Sequence, residues 1–362
     1  MRKKKVVVAM SGGVDSSLTA ALLRDEGYEV IGVTMQIWPS DDPQKEEEQG
    51  GCCSLSAVDD ARRVADTLGI PFYVMNFRDL FEEKVISLFI REYLAGRTPN
   101  PCIACNRFIK FDAFLVKAVA LGADFIATGH YARISYDKKR GRYVIRKAKD
   151  SRKDQTYVLY NMTQEQLSRT LMPLGDYEKD EVRRMAASYN LKVANKPESQ
   201  EICFVTDNDY GRFMRERAGA EIEPGPFVDI EGNVLGEHKG LTYYTVGQRK
   251  GLGIAFGEPM YVVALKPEKN AVILGRDRDV FSTGLLAADN SFILIEKLET
   301  PMTVKAKIRY AARPAEAVIY PEGGDRVKVI FAQPQRAITP GQAVVYYEGD
   351  YVVGGGTIER KL

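Results

Sequence analysis

The sequence predicts an α/β protein whose first two hundred residues build a doubly wound parallel sheet and whose remainder is mostly β. Strand and helix signals alternate from residue 5 to about residue 205, after which glycine and proline become dense and the apolar runs short. A length of 362 residues, at about 150 per domain, leaves room for two or three domains. Apolar residues at 45% and charged residues at 28% exclude a disordered chain or a coiled coil. No apolar run approaches the roughly 18 residues of a membrane span, and Val6 to Met10 after Met1-Arg2-Lys3-Lys4-Lys5 is too short for a signal peptide. A cytoplasmic protein without membrane association is expected.

Taken in order, the β-branched run from Lys5 to Met10 predicts a strand, and Leu18, Ala21 and Leu22 a helix that stops at Gly27. Glu29 to Ile37 predicts a second strand. Leu55, Val58, Ala61, Ala65 and Leu68 recur at helical spacing before Gly69. Pro71 to Phe77 is expected as a strand, Phe81 to Leu94 as a helix, Gly96 to Asn106 as a loop, Phe108 to Leu121 as a helix and Asp124 to Thr128 as a strand. This alternation implies right-handed βαβ crossovers. Beyond residue 205 the strand-like runs are Met260 to Leu265, Ala271 to Leu274, Val304 to Tyr310, Ala317 to Tyr320, Val327 to Phe331 and Ala343 to Tyr347. With a division near residues 275 to 280, the expected domains are 1–205, 206–276 and 277–362. Glu46-Glu47-Glu48 falls in an expected mobile loop.

Charge is segregated. Residues 97–155 hold fourteen Lys and Arg against five Asp, a local +9 in a chain of net +2, so the rest carries −7. A polyanion-binding surface requires such segregation, although a solvated face can also show it. The five cysteines, Cys52, Cys53, Cys102, Cys105 and Cys203, are an odd number and argue for catalytic or metal-ligand thiols rather than a disulfide framework. With only His130 and His238, histidine-rich zinc sites are excluded.

Ser11-Gly12-Gly13-Val14-Asp15-Ser16-Ser17 follows the first strand and opens the first helix. Its glycines let backbone approach an anion, its amides and the helix amino end supply partial positive charge, and Ser16 and Ser17 add hydroxyl donors. The loop lacks the Gly-Lys-Ser/Thr ending that cradles a transferring γ-phosphate, and it does not match the dinucleotide fingerprint. It resembles the SGGxDSS loop of the ATP pyrophosphatases, which cleave ATP between the α and β phosphates and attach AMP to a substrate oxygen. That resemblance implies ATP bound by Ala9, Met10, Ser11, Gly12, Gly13, Val14, Asp15, Ser16 and Ser17, with Met35 and Gly129 bordering the adenosine. It also implies that Asp15 helps to hold Mg2+.

Asn100-Pro101-Cys102-Ile103-Ala104-Cys105-Asn106 puts two thiols three apart ahead of a helix and beside the basic segment; Cys203 follows Ser199-Gln200-Glu201-Ile202. A cysteine at a helix amino end among cations is favoured as the nucleophilic thiolate. A buried pair of small side chains, or half of a structural zinc site completed by Cys52 or Cys53, are the alternatives.

Together with Ala127-Thr128-Gly129-His130-Tyr131-Ala132-Arg133, Lys153-Asp154-Gln155, Ser199 to Phe204, Tyr244-Thr245-Val246-Gly247-Gln248-Arg249 and Gly341-Gln342, these segments resemble the bacterial tRNA-specific 2-thiouridylases along the whole chain. The resemblance implies a small central domain and a carboxy-terminal β-barrel after the ATP pyrophosphatase-type domain. It implies that ATP adenylates a carbonyl oxygen of the wobble uridine of tRNA for lysine, glutamate and glutamine, and that sulfur then displaces AMP. By the same resemblance Cys203 carries a persulfide and Cys105 is the second catalytic thiol. Asn100, Pro101 and Cys102 would face the target base, and His130, Lys153, Asp154, Gln155, Arg309, Tyr310 and Gln342 would touch tRNA. Flipping that base out costs about a few kcal/mol, which phosphate contacts can offset. A cysteine desulfurase or a sulfur-relay protein would supply the sulfur.

Many relatives have aspartate at the position of Cys102. The cysteine here resembles a cluster-containing branch, in which Cys102, Cys105 and Cys203 could hold a [4Fe–4S] cluster that binds sulfide. The rival functions are an amide-forming ligase with the same loop, such as an argininosuccinate or NAD synthetase, and a tRNA-binding protein without catalysis. Gly247-Gln248-Arg249-Lys250-Gly251 is either a phosphate-contacting turn or a tight hairpin.

Overall fold

Val6, Val7 and Val8 are fully buried, which requires neighbouring strands on both sides and a covering layer on both faces. In the computed structural model, which describes residues 2–37, 55–196, 202–205, 209–218, 222–254 and 257–362, they form β1 (Lys5–Ala9). This strand pairs in parallel with β2 (Glu29–Gln36) and β4 (Phe125–Ala127), and β2 pairs in parallel with β3 (Phe72–Asn76). The next strands in the chain are an antiparallel hairpin, β5 (Ala132–Asp137) and β6 (Arg142–Lys147), and then the short β7 (Thr170–Leu171), parallel to β4. The order β3-β2-β1-β4-β7 reverses direction between β1 and β4. That reversal is the topological switch point, where open parallel sheets leave a crevice at the carboxyl ends of their strands. Helix α1 (Val14–Asp25) packs Leu18, Ala21 and Leu23 into the core over β1, alongside Val182 and Ala186 of the helix Lys179–Ser188.

The described chain clusters into two units. One comprises Met1–Val85, Cys102–Asn208 and Asp350–Val352; the other comprises Ile86–Pro101, Asp209–Gly349 and Val353–Leu362. In the second unit β8 (Gly225–Val228), β9 (Val234–His238), β10 (Tyr261–Lys266) and β11 (Ala271–Gly275) form a four-stranded sheet in the order β10-β11-β8-β9. Its core contains Phe227, Val262, Val272 and Leu274. His238 is structural there. Its Nε2 donates to the Asn270 carbonyl at 2.9 Å, its Nδ1 accepts from the Gly240 amide at 3.0 Å, and burial holds its pKa below the usual imidazole value. Residues 247–251 form a tight turn held by Gln248, whose side chain accepts from the Thr245 amide and donates to the Lys250 carbonyl.

The remaining strands are β12 (Phe281–Phe292), β13 (Met302–Lys307), β14 (Ala315–Pro321), β15 (Val327–Arg336), β16 (Ala343–Glu348) and β17 (Tyr351–Lys361). They run in the order β12-β15-β14-β13-β16-β17, and β12 pairs again with β17, closing a six-stranded barrel that leaves no free edge within it.

The expected fold class stands, with local corrections. The segment Gly96 to Asn106 is not all loop, because helix begins at Pro101, where a missing N–H costs nothing, and continues through residue 120. Cys102 and Cys105 therefore lie on the helix itself. The strands β5, β6, β8, β9, β12 and β17 have no counterpart among the expected runs. In β17 the triplet Gly354-Gly355-Gly356 reads as a breaker, but it serves close packing: a Cβ on Gly354 would lie 2.2 Å from the Ser291 carbonyl oxygen of β12. Gly354→Ala is therefore expected to destabilise the barrel by about 1–3 kcal/mol, read as a lower midpoint in urea denaturation.

Candidate nucleotide and thiol site

The loop after β1 lies at the switch point. Gly12 has a φ of +68°, and a Cβ on it would meet the Ala57 carbonyl oxygen at 2.2 Å, so glycine is required twice over. The serine hydroxyls shape the loop. Ser17 Oγ donates to the Gly13 carbonyl at 2.8 Å, and Ser16 Oγ accepts from the Ser11 amide at 3.1 Å; both serines are buried. Both hydroxyls, expected to face an anion, thus bond within the loop in this structure. Gly13 is the N-cap of α1 in an extended conformation without a side-chain cap, so the amides of the first turn are open to an anion. Gly129, just past β4, closes the other side: a Cβ there would lie 2.8 Å from both Asp15 C and Ser16 N. Met35 ends β2 half-buried opposite Met75, and Ala9 and Met10 are buried, contributing backbone.

Asp15 has partners that sequence reasoning missed. Lys179 Nζ lies 2.7 and 2.8 Å from its two carboxylate oxygens, and the Tyr131 hydroxyl donates to Oδ1 at 2.7 Å. Lys179 is 5% exposed and also sits over the Tyr131 ring, 5.5 Å from its centre. The one sequence signal was its position: a lysine starting a helix opposes the helix dipole and needs compensation. A second lysine, Lys196, donates to the Gly12 carbonyl at 3.2 Å and pairs with Asp60 at 2.7 Å. Both oxygens of Asp15, the residue expected to help hold Mg2+, are thus engaged by the Lys179 ammonium in this structure.

The thiol-bearing segments also hang from the carboxyl edge of this sheet. The helical stretch 101–120 places Cys102, exposed, and Cys105, half-buried, one turn apart as reduced thiols. From Cys105 to Ala113 it winds with π-helical bonding, a feature frequent at functional sites. Asn106, buried, donates to the Val158 carbonyl at 2.9 Å, and Phe111 packs 5.6 Å from the His130 ring just beyond β4. Cys203, half-buried, is followed by Phe204, whose ring meets Phe81 edge-on at 5.9 Å, one helical turn after Phe77 at the end of β3. Among the described residues no group of three or more His, Cys, Asp or Glu side chains is disposed to hold a metal ion. Cys102, Cys105 and Cys203 as placed here do not fit a [4Fe–4S] cluster. Cys52, Cys53 and Ser199 to Glu201 lie outside the described residues, as does the Glu46-Glu47-Glu48 loop.

The residues expected to touch tRNA are dispersed. His130 is buried, with Nδ1 2.8 Å from the Thr128 hydroxyl; burial, reinforced by the Lys110 charge, pushes its pKa well below the ordinary value and keeps the ring neutral. Asp154 accepts from the Ala148 amide and the Thr156 hydroxyl, and Gln155 accepts from the Tyr131 amide, while Lys153 is half-buried. In the second unit, Arg309 donates to the Arg336 carbonyl, Tyr310 is 45% exposed with Lys307 over its ring, and Gln342 donates to the Thr98 carbonyl. Asn100 is half-buried and Pro101 buried.

Family models agree with this division of labour. Residues 4–207 match the tRNA methyl transferase HUP domain, 211–276 the tRNA methyl transferase PRC-barrel domain and 282–358 the aminomethyltransferase beta-barrel domain. The tRNA-specific 2-thiouridylase MnmA of Acetivibrio thermocellus is 61% identical over 359 residues, covering 99% of this chain and all of that protein. The chain belongs to the tRNA-specific 2-thiouridylase family. Another member, the tRNA-specific 2-thiouridylase MnmA of Heliobacterium modesticaldum, is 64% identical over 362 residues, covering 99% of this chain and 94% of its own length. For a thiouridylase that uses ATP, the contact of Gly129 with α1 has a direct consequence. Gly129→Ala is expected to weaken ATP binding about tenfold or more by displacing the first-turn amides, measured by titration calorimetry with a non-hydrolysable analogue.

Proposed function

We propose that this chain is a tRNA-uridine 2-sulfurtransferase that adenylates O2 of the wobble uridine of the lysine, glutamate and glutamine tRNAs and replaces that oxygen with sulfur. One observation carries the reading: the anion-binding loop, the helix bearing Cys102 and Cys105, and the segment bearing Cys203 are all anchored at the carboxyl edge of one parallel sheet. The first-turn amides of α1 and the Lys179 ammonium bind the phosphates, with any magnesium carried in on the nucleotide's own oxygens. The uridine O2 attacks the α-phosphorus and pyrophosphate leaves. Adenylate then occupies the position of a poor leaving group.

The terminal sulfur of a Cys203 persulfide attacks the C2 carbon, and AMP departs with the C–O electron pair. Cys105 thiolate attacks the Cys203 sulfur, the S–S pair passes to the sulfur on the base, and a Cys105–Cys203 disulfide is left for an external thiol to reduce. A cysteine desulfurase or relay protein reloads Cys203. Asn100, Pro101 and Cys102 meet the target base. Arg309, Tyr310 and Lys153 contact the tRNA, an exposed tyrosine beside a lysine being suited to stacking on a base.

The test is incubation of anaerobically purified protein with ATP, unmodified tRNA and a persulfide source, reading AMP release and mercury-retarded tRNA. Wild type is expected to do both. Cys105→Ser and Cys203→Ser should each lower thiolation by about a thousandfold or more while tRNA affinity stays within about twofold. Thiolation by either serine variant, or dependence on bound iron and acid-labile sulfide, overturns the persulfide route. AMP release with an amide product, or no AMP at all, overturns the sulfurtransferase reading.

A further inference from the structure

We infer that Lys196 is a positioning residue for the nucleotide: by holding the Gly12 carbonyl it aims the Gly13 amide at the phosphates. The inference rests on the ATP-binding part of the reading above. In a trans peptide the C=O and N–H point in opposite directions, so whatever grips one residue's carbonyl sets where the next residue's amide points. Side chains grip carbonyls along this loop. The Thr34 hydroxyl donates to the Met10 carbonyl at 2.7 Å, the Ser17 hydroxyl to the Gly13 carbonyl at 2.8 Å, and the Lys196 ammonium to the Gly12 carbonyl at 3.2 Å. The peptide between Gly12 and Gly13 is the one most in need of such a grip. Turning it over changes ψ of Gly12 and φ of Gly13, and would carry Gly13 from a φ of −98° to about +80°, which glycine adopts freely.

Lys196 is itself held from two directions. Its Nζ lies 2.7 Å from Oδ2 of Asp60, on the helix Leu55–Leu68. One turn earlier on that helix is Ala57, whose carbonyl oxygen a Cβ on Gly12 would meet at 2.2 Å, so the helix that supplies Asp60 also backs the glycine. The main chain around Lys196 is fixed by Arg183, whose Nη1 donates to the Ala194 carbonyl at 2.8 Å and to the Lys196 carbonyl at 3.4 Å. Arg183 belongs to the helix Lys179–Ser188, which thus sets both lysines of the loop: Lys179 on Asp15 directly, and Lys196 through its backbone. Gly13 is the extended N-cap of α1 without a side-chain cap, so the amide that Lys196 aims adds to the open amides of the first turn. An ammonium paired with a carboxylate brings little net charge. What Lys196 contributes is the direction of a neighbouring peptide dipole.

Titration calorimetry with α,β-methylene ATP tests this in the full-length protein. Lys196→Met keeps most of the length and removes the donor, and is expected to raise the Kd about tenfold or more. Asp60→Ala decides between aim and charge. It takes a carboxylate away from the ammonium, so a lysine that attracts phosphate directly would bind the analogue more tightly, whereas a lysine that must be steered onto Gly12 binds it about threefold less tightly. The double variant should match Lys196→Met alone, because Asp60 acts through Lys196. Lys196→Arg, which can bond both partners, should recover most of the affinity. Unchanged or tighter binding by Asp60→Ala, an unchanged Kd in Lys196→Met, or additive losses in the double variant would each overturn the inference. If Lys196→Met folds poorly, the sign of the Asp60→Ala change still decides. Wild-type protein that binds no analogue at all condemns the ATP reading instead, which keeps the two failures apart.

Discussion

The pair between buried Lys179 and half-buried Asp15 is the interaction on which the catalytic unit turns. An ammonium at the first position of a helix faces the positive end of that helix's dipole, and the carboxylate it meets belongs to the first turn of another. Each charge makes the other tolerable in a half-dry site, where an unpaired ion would cost several kcal/mol. The pair also ties distant parts of the chain: the loop after β1, Tyr131 beyond β4 and the helix Lys179–Ser188 converge on one carboxylate. Asp150 reinforces the far side by accepting from the Lys179 amide, with its own pKa lowered to about 2, chiefly by the Arg152 guanidinium.

The three described thiols are carried on two elements of the first unit. Cys102 and Cys105 share one helix, while Cys203 lies on a short segment pinned by Phe204 and Val205, both buried. Aromatic contacts, Phe111 to His130 and Phe204 to Phe81, anchor both elements.

Much of this was legible in the sequence, and the boundary is physical. The valine run of β1 and the glycines of the next loop announce themselves because a doubly covered strand must be apolar throughout and a phosphate loop must lack side chains. The thiols were visible as rare residues three apart, but in an expected loop rather than on the helix that carries them. What stayed hidden depends on long-range pairing. Lys179 meets Asp15 across 164 residues and Gln342 meets Thr98 across 244, and no local pattern encodes either. The bonds from Ser16 and Ser17 to the Gly13 carbonyl were likewise invisible to the sequence, because they depend on how the loop turns into α1. Strand β17 escaped for a related reason, since Gly354 and Gly356 are fitted to Ser291, Phe292 and Asn290 of β12 rather than to any intrinsic strand preference.

Barrel closure through β12 and β17 sets the order in which a nascent chain can mature. β12 ends at Phe292 and its closing partner runs to Lys361, so at roughly 5–20 residues per second the ribosome leaves one edge of β12 uncovered for several seconds. Residues 86–101 wait longer still, since their docking partners include a loop at residue 340. The catalytic half can therefore acquire its sheet while the segment leading to its own cysteines hangs undocked.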